Sequence, residues 1–138
     1  MSHDAVQAVS AMFAADLASR SLGIEVLEAA EGRAVVSMRV HDTMVNGHDI
    51  AHGGYLFLLA DTAFACACNS YGPVTVAAGA EISFVTPARL DDLLIATAEV
   101  RTRYGRSGIY DVTVHRDEAD GGRTVIAEFR GRSREVSR

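Results

Sequence analysis

Gly53-Gly54-Tyr55-Leu56-Phe57-Leu58-Leu59-Ala60-Asp61-Thr62-Ala63-Phe64-Ala65-Cys66-Ala67-Cys68-Asn69-Ser70 is apolar on nearly every side, with one carboxylate near its middle. Length and composition predict a helix over 53–70, buried on most of its surface. Gly72-Pro73 stops it. Before it, Asn46-Gly47-His48-Asp49-Ile50-Ala51-His52 is polar and has no clear period, so residues 42–52 read as a loop. A loop feeding a helix leaves unpaired N–H groups at the positive helix end, which can stabilise negative charge. Asp61, set among Leu, Ala and Phe, needs a reason to be there. Together these features point to acyl transfer.

Working outward, residues 4–20 carry a helical pattern through Val6, Val9, Met12/Phe13 and Leu17, with Asp4 as a cap and Leu22-Gly23 as its end. Residues 24–30 and 33–41 read as a strand pair around Glu31-Gly32, because Val36, Met38 and Val40 alternate with Ser37 and Arg39. After the central helix, residues 74–86, 93–104, 109–116 and 124–136 show period-two patterning, with turns at 87–92, 105–108 and 117–123. The expected order is helix, two strands, a long buried helix, then four strands in a meander. An antiparallel sheet with one apolar helix against its face satisfies it, an α+β fold.

The chain has 138 residues, which fits a single domain spanning 1–138. Its net charge of −5 argues against nonspecific nucleic-acid binding. All 13 basic residues are Arg, a bias that decides nothing by itself. The longest apolar run is broken by Asp61 and is too short to span a bilayer. The start, with Ser2, His3, Asp4 and Gln7, has neither a basic flank nor a signal-type apolar core, so a cytoplasmic location is expected. Cys66 and Cys68 stand two apart on the helix and diverge in direction, which disfavours a disulfide and makes them small buried hydrophobes. His48 and His52 lack a further ligand in view, so no metal site is expected.

Asn46-Gly47, His52-Gly53-Gly54 and Asp61 resemble the acyl-CoA thioesterases of phenylacetic-acid degradation, within the wider family of small hotdog thioesterases. The likeness extends over nearly the whole chain, including Leu58-Ala60-Asp61, Ala67-Cys68-Asn69-Ser70 and Phe129-Arg130-Gly131. It implies the hotdog fold, an antiparallel sheet wrapped around a long central helix. It also implies hydrolysis of aryl or phenylacetyl-type (including hydroxylated phenylacetyl) CoA thioesters, with coenzyme A part of the substrate and no cofactor. A hotdog hydratase or dehydratase on acyl thioesters and a non-catalytic acyl-CoA-binding protein are the alternatives.

Under that resemblance Asp61 is the general base or the nucleophile, and the Gly53 N–H polarises the thioester carbonyl. The residue-level alternatives are a structural Asp paired with a buried Arg, and a tight loop-to-helix turn at Gly53-Gly54. Asn46 either positions water or the thioester, or simply shapes an Asn-Gly turn. His52 either serves the thioester or caps the helix. The family's water-assisting Ser or Thr is not assigned: Ala77 and Ala78 stand at the nearest positions and Thr75 and Ser83 lie farther off, which leaves Asn46 and Asp61 to hold the water. The turn Arg103-Tyr104-Gly105-Arg106-Ser107-Gly108 suits coenzyme A phosphates. Arg130, Arg132 and Arg134 share one face of the last strand, as phosphate donors or as a solvated row. Gly54, Tyr55, Phe57, Leu58 and Phe64 are candidates for the substrate pocket, with core packing the alternative. Asp61 lies eight residues beyond Gly53, about 12 Å along a helix, too far for one carbonyl to meet both. A two-fold dimer with antiparallel central helices would bring Gly53 of one copy to Asp61 of the other, and the resemblance implies pairing of such dimers into tetramers.

Overall fold

The structure, a computed structural model, describes residues 4–136. The expectations for Ser2 and His3 therefore lie outside the described residues. Helix α1 (Ala5–Ala14) starts where the Asp4 carboxylate accepts the Gln7 N–H at 3.2 Å. The single helix expected over 4–20 is interrupted. Asp16 leaves helical geometry and caps a separate short α2 (Leu17–Ser21), its carboxylate accepting from both the N–H and the Oγ of Ser19. Such local bonding competes with helix continuation. Ser19 Oγ also meets Thr62 Oγ1 at 2.8 Å, which fixes α2 against the central helix.

Strands β1 (Glu25–Ala30) and β2 (Arg33–Arg39) form the expected hairpin, with Gly32 at φ +74° in its turn. A short 3-10 turn (Asp42–Met44) opens the loop that leads into α3 (Gly53–Asn69). Strands β3 (Thr75–Phe84), β4 (Leu93–Tyr104), β5 (Ser107–Asp117) and β6 (Arg123–Glu135) follow. All pairings are antiparallel, in the order β1-β2-β4-β5-β6-β3. The helix α3 lies across one face, touching β2, β4, β5, β3 and β6. Inward residues of alternating strands, such as Val36, Met38, Ala96, Val112, Val114 and Phe129, pack on Leu59, Ala63, Phe64 and Ala67.

The expected four-strand meander is corrected by this order. Strands β4, β5 and β6 are consecutive neighbours, but β3 sits at the far edge beside β6. Period-two patterning tells which residues face inward and carries no information on which strand is the neighbour. Placement of β3 comes from the helix end. Asn69 grips the backbone of Thr75 twice, its Nδ2 donating to the Thr75 carbonyl and its Oδ1 accepting the Thr75 N–H, each at 2.9 Å. The chain must then cross the sheet to start β4 next to β2. Residues 85–92 make that crossing, tied at one side by Val85 N–H to the Ile126 carbonyl and at the other by Val40 N–H to the Asp92 carbonyl. Midway, the Ala88 carbonyl accepts from Ala51 N–H at 2.7 Å, directly before α3. That crossover builds the site.

Candidate active site

Where residues 85–88 pass the start of α3, a cleft of about 460 Å³ opens, lined by Asn46, Ile50, Gly53, Leu56 and Phe84 among others. Its wall is mostly apolar. Two of its hydrogen-bond donors lie at the start of α3 and in the loop before it. The Gly53 N–H, first in the helix, makes no hydrogen bond to any described residue. The Asn46 side chain uses Oδ1 to accept from His48 N–H at 2.8 Å and Ile50 N–H at 3.4 Å, while its Nδ2 bonds to no described residue. Asn46 is thus a turn residue and a lining residue at once. Donors aimed into an apolar cleft at a helix N-terminus can hold a carbonyl oxygen as it gains negative charge.

His52 resolves toward capping. Its Nδ1 accepts the Gly54 N–H at 2.9 Å, and its ring meets Tyr55 edge-on. Gly53 has a second reason to lack a side chain. A Cβ there would fall 2.9 Å from the Phe84 ring, so the ring occupies the space beside the Cα. Gly54 is exposed and faces His52.

Asp61 is half-buried and has no hydrogen bond or ion pair to a described residue. Burial chiefly, and the charge of Asp16 secondarily, push its pKa up from the ordinary carboxylate value. The Arg-paired alternative for Asp61 is therefore not what the chain builds. Helical geometry separates Asp61 from the cleft. Leu56 shares a face with Gly53 at i+3, whereas Asp61 continues a stripe through Gly54, Leu58, Ala65 and Asn69, all exposed or half-exposed.

The pocket candidates sort by the same geometry. Leu56 lines the cleft and was not singled out in the sequence; Tyr55, Phe57 and Leu58 fall outside it. Phe57 packs on Phe129 at 5.2 Å between ring centres, and Phe64 is core, between Tyr110 and Phe129. Leu58 stands beside Asp61 on the half-exposed stripe. The cysteines are free and buried, and burial pushes both thiols up to about 12, so they are inert hydrophobes.

The proposed phosphate donors are not gathered around this cleft. The turn with Arg103, Gly105, Arg106 and Ser107 lies by Cys68 and Tyr110, at the other end of α3. That end is about 24 Å from Gly53 at helical rise. Arg103 stacks on the Tyr71 ring at 3.7 Å. Arg132 and Arg134 do not line the cleft either. They lie on the sheet face away from α3, since the intervening Gly131 abuts Phe64, and Arg132 is paired with Glu81 at 3.0 Å. Arg130 is held by Asp111 in a two-bond pair. On that face cross-strand charge pairing accounts for Arg130 and Arg132, while Arg134 stands opposite Val76 and Ser107. At the matching positions on β3 stand Ala77 and Ala78, the latter unpaired in a bulge between Ala77 and Gly79, and Thr75 donates to the Pro73 carbonyl. Among the described residues no group of three or more His, Cys, Asp or Glu converges, and no helix is long and apolar enough to cross a membrane.

Comparison with known proteins agrees with this geometry. Residues 48–122 match the Thioesterase superfamily model. The chain is 43% identical over 136 residues to the acyl-coenzyme A thioesterase PaaI of Escherichia coli, covering 99% of this chain and 94% of that protein. The solved structure of E. coli PaaI superposes with a TM-score of 0.91 over 97% of this chain and 94% of that one. The phenylacetic acid degradation protein PaaI of Thermus thermophilus, in a variant form, is 33% identical with a TM-score of 0.78, covering 86% and 97%. A Streptococcus mutans protein bound to acetyl CoA shares the fold at 22% identity and a TM-score of 0.76, covering 83% and 90%. Sequence, fold and site chemistry converge: the chain is a hotdog-fold member of the thioesterase superfamily and an acyl-CoA thioesterase.

Proposed function

We propose that the protein hydrolyses aryl or phenylacetyl-type CoA thioesters, hydroxylated phenylacetyl esters included, to the free acid and coenzyme A in phenylacetate catabolism. One observation carries the reading: Gly53 N–H and Asn46 Nδ2, two donors without a partner among the described residues, line a mostly apolar cleft at the start of α3. The donors polarise the thioester carbonyl. Asp61 either takes a proton from water as that water attacks carbon, or attacks carbon itself and is regenerated by water. With Asp61 as base, the proton it takes passes to the departing thiolate as the carbon–sulfur bond breaks. With Asp61 as nucleophile, the thiolate leaves first and takes a proton from solvent. Water then cleaves the acyl–aspartyl anhydride, freeing the acid and Asp61 and returning that proton.

The site is shared between two copies. Asp61 faces away from its own cleft, on a stripe that a second antiparallel α3 would cover. The edge strand β3 supports the same pairing. It is ten residues long, carries Glu81 as its one charge, and exposes Val76, Ala77 and Ala78. In an antiparallel pair the partner's turn at Arg103, Arg106 and Ser107 approaches this Gly53, which suits the coenzyme A phosphates. The same fold holds acetyl CoA in the streptococcal protein. The functional unit is a single hotdog domain per chain, a dimer with two shared sites, and a dimer of dimers. It works in the cytoplasm and without a cofactor. The E. coli relative's name and the T. thermophilus relative's pathway support the substrate class.

The direct test is thiol release from phenylacetyl-CoA, its hydroxylated forms and aliphatic esters, followed by mass spectrometry of single-turnover mixtures. Turnover with the aryl esters preferred supports the reading, and an acyl group on Asp61 identifies it as nucleophile. Double-bond hydration of crotonyl-CoA without thiol release would replace it with the hydratase reading.

A further inference from the structure

We infer that Phe84 is the residue that sets acyl-group specificity, as the aromatic wall against which the acyl group lies. The inference rests on the thioesterase reading above and deepens it. Phe84 ends β3 opposite Ala127 and points to the α3 side of the sheet. Its ring rests on Gly53, with Cζ 2.9 Å from where a Cβ would stand, yet the residue remains 56% exposed. What sets it apart is its place: the ring lies against Gly53 and lines the cleft.

The position matters because of what adjoins it. A carbonyl accepting the Gly53 N–H must enter beside that ring, and its acyl substituent then runs along the ring face into the space bounded by Ile50, Leu56 and Val85. The cleft holds about 460 Å³, against roughly 150 Å³ for an apolar cavity that takes up benzene. An aryl group therefore fits without rearranging the wall. A flat ring gains an offset or edge contact with Phe84 that a straight alkyl chain does not, a difference of up to about tenfold. Phe84 is thus a specificity residue, while carbonyl activation stays with Gly53 and Asn46.

The experiment measures kcat/KM for phenylacetyl-CoA, benzoyl-CoA, hexanoyl-CoA and acetyl-CoA with the unmodified enzyme, Phe84→Leu and Phe84→Tyr. Phe84→Leu should lower the aryl esters by about tenfold relative to hexanoyl-CoA, and Phe84→Tyr should restore the aryl preference. Circular dichroism and a melting curve show whether each variant keeps the fold. An unchanged aryl-to-alkyl ratio in a folded Phe84→Leu, with the unmodified enzyme active, overturns the role of Phe84 alone. A uniform loss across all four esters overturns it too. Absence of thiol release from every ester by the unmodified enzyme overturns the thioesterase reading on which it stands.

Discussion

Asp61 and Gly53 each carry a testable consequence. The Asp61 carboxyl, raised chiefly by burial and further by Asp16, costs the fold stability once pH exceeds the ordinary carboxylate value near 4. Asp61→Asn should therefore cut kcat by about 10²–10⁴ while raising the melting temperature at pH 7 by about 2–5 °C. The stability gain should shrink to nothing as pH falls below about 4, which a pH series of melting curves reads. His115 has the opposite sign. Burial, then the charge of Arg123, lowers its pKa, and its buried Nδ1 has no hydrogen bond to a described residue. Its neutral form is the folded one, so stability is lost as pH falls below about 6.5. His115→Leu should flatten that acid slope. At Gly53 the N–H can be deleted with little disturbance of the backbone, because His52 already has φ −63° and ψ 133°. A residue with those angles tolerates a following proline, and the first helical position favours one. Gly53→Pro should lower kcat by about 10²–10³ with helix content kept by circular dichroism, the Phe84 ring end shifting slightly to make room.

Among the elements, the join between α3 and β3 determines the topology. Asn69→Ala removes both bonds to the Thr75 backbone and the donation to the Ala65 carbonyl. It should cost about 1–3 kcal/mol in urea unfolding. Amide exchange should speed up first at the start of β3. That clamp also shows where sequence reading reaches its limit. The apolar period of 53–70 and the alternation at Val36, Met38 and Val40 gave element type and boundaries within a few residues, since burial of one face imposes its period on the chain. Sheet order was not legible, because β3 is placed by an Asn side chain reaching past a turn. The helix break at Asp16 had a signal in the Asp16–Ser19 spacing, but the apolar run through Leu17 masked it. At the site, Asn46, Gly53 and Asp61 stood out as polar or bare positions against apolar neighbours. Phe84 and Leu56 did not, because an aromatic closing a strand and a Leu in a helix are ordinary until the crossover at 85–88 folds over them.

For the molecule as a whole, the single chain presents two halves of a site that do not meet. The cleft with Gly53 and Asn46 opens at the start of α3, and Asp61 sits two turns on along another face. The proposed hydrolysis therefore requires a dimer with sites shared across the two-fold. Mixing inactive variants tests this most directly. Asp61→Asn chains and Gly53→Pro chains are unfolded together, refolded as a mixture, and assayed for thiol release beside each variant refolded alone. Shared sites give every mixed dimer one intact site, with Gly53 from one chain and Asp61 from the other. Random pairing should then restore about a quarter of the unmodified activity. A mixture no more active than the two variants apart, with mixed dimers demonstrated by native mass spectrometry, would contradict the shared site.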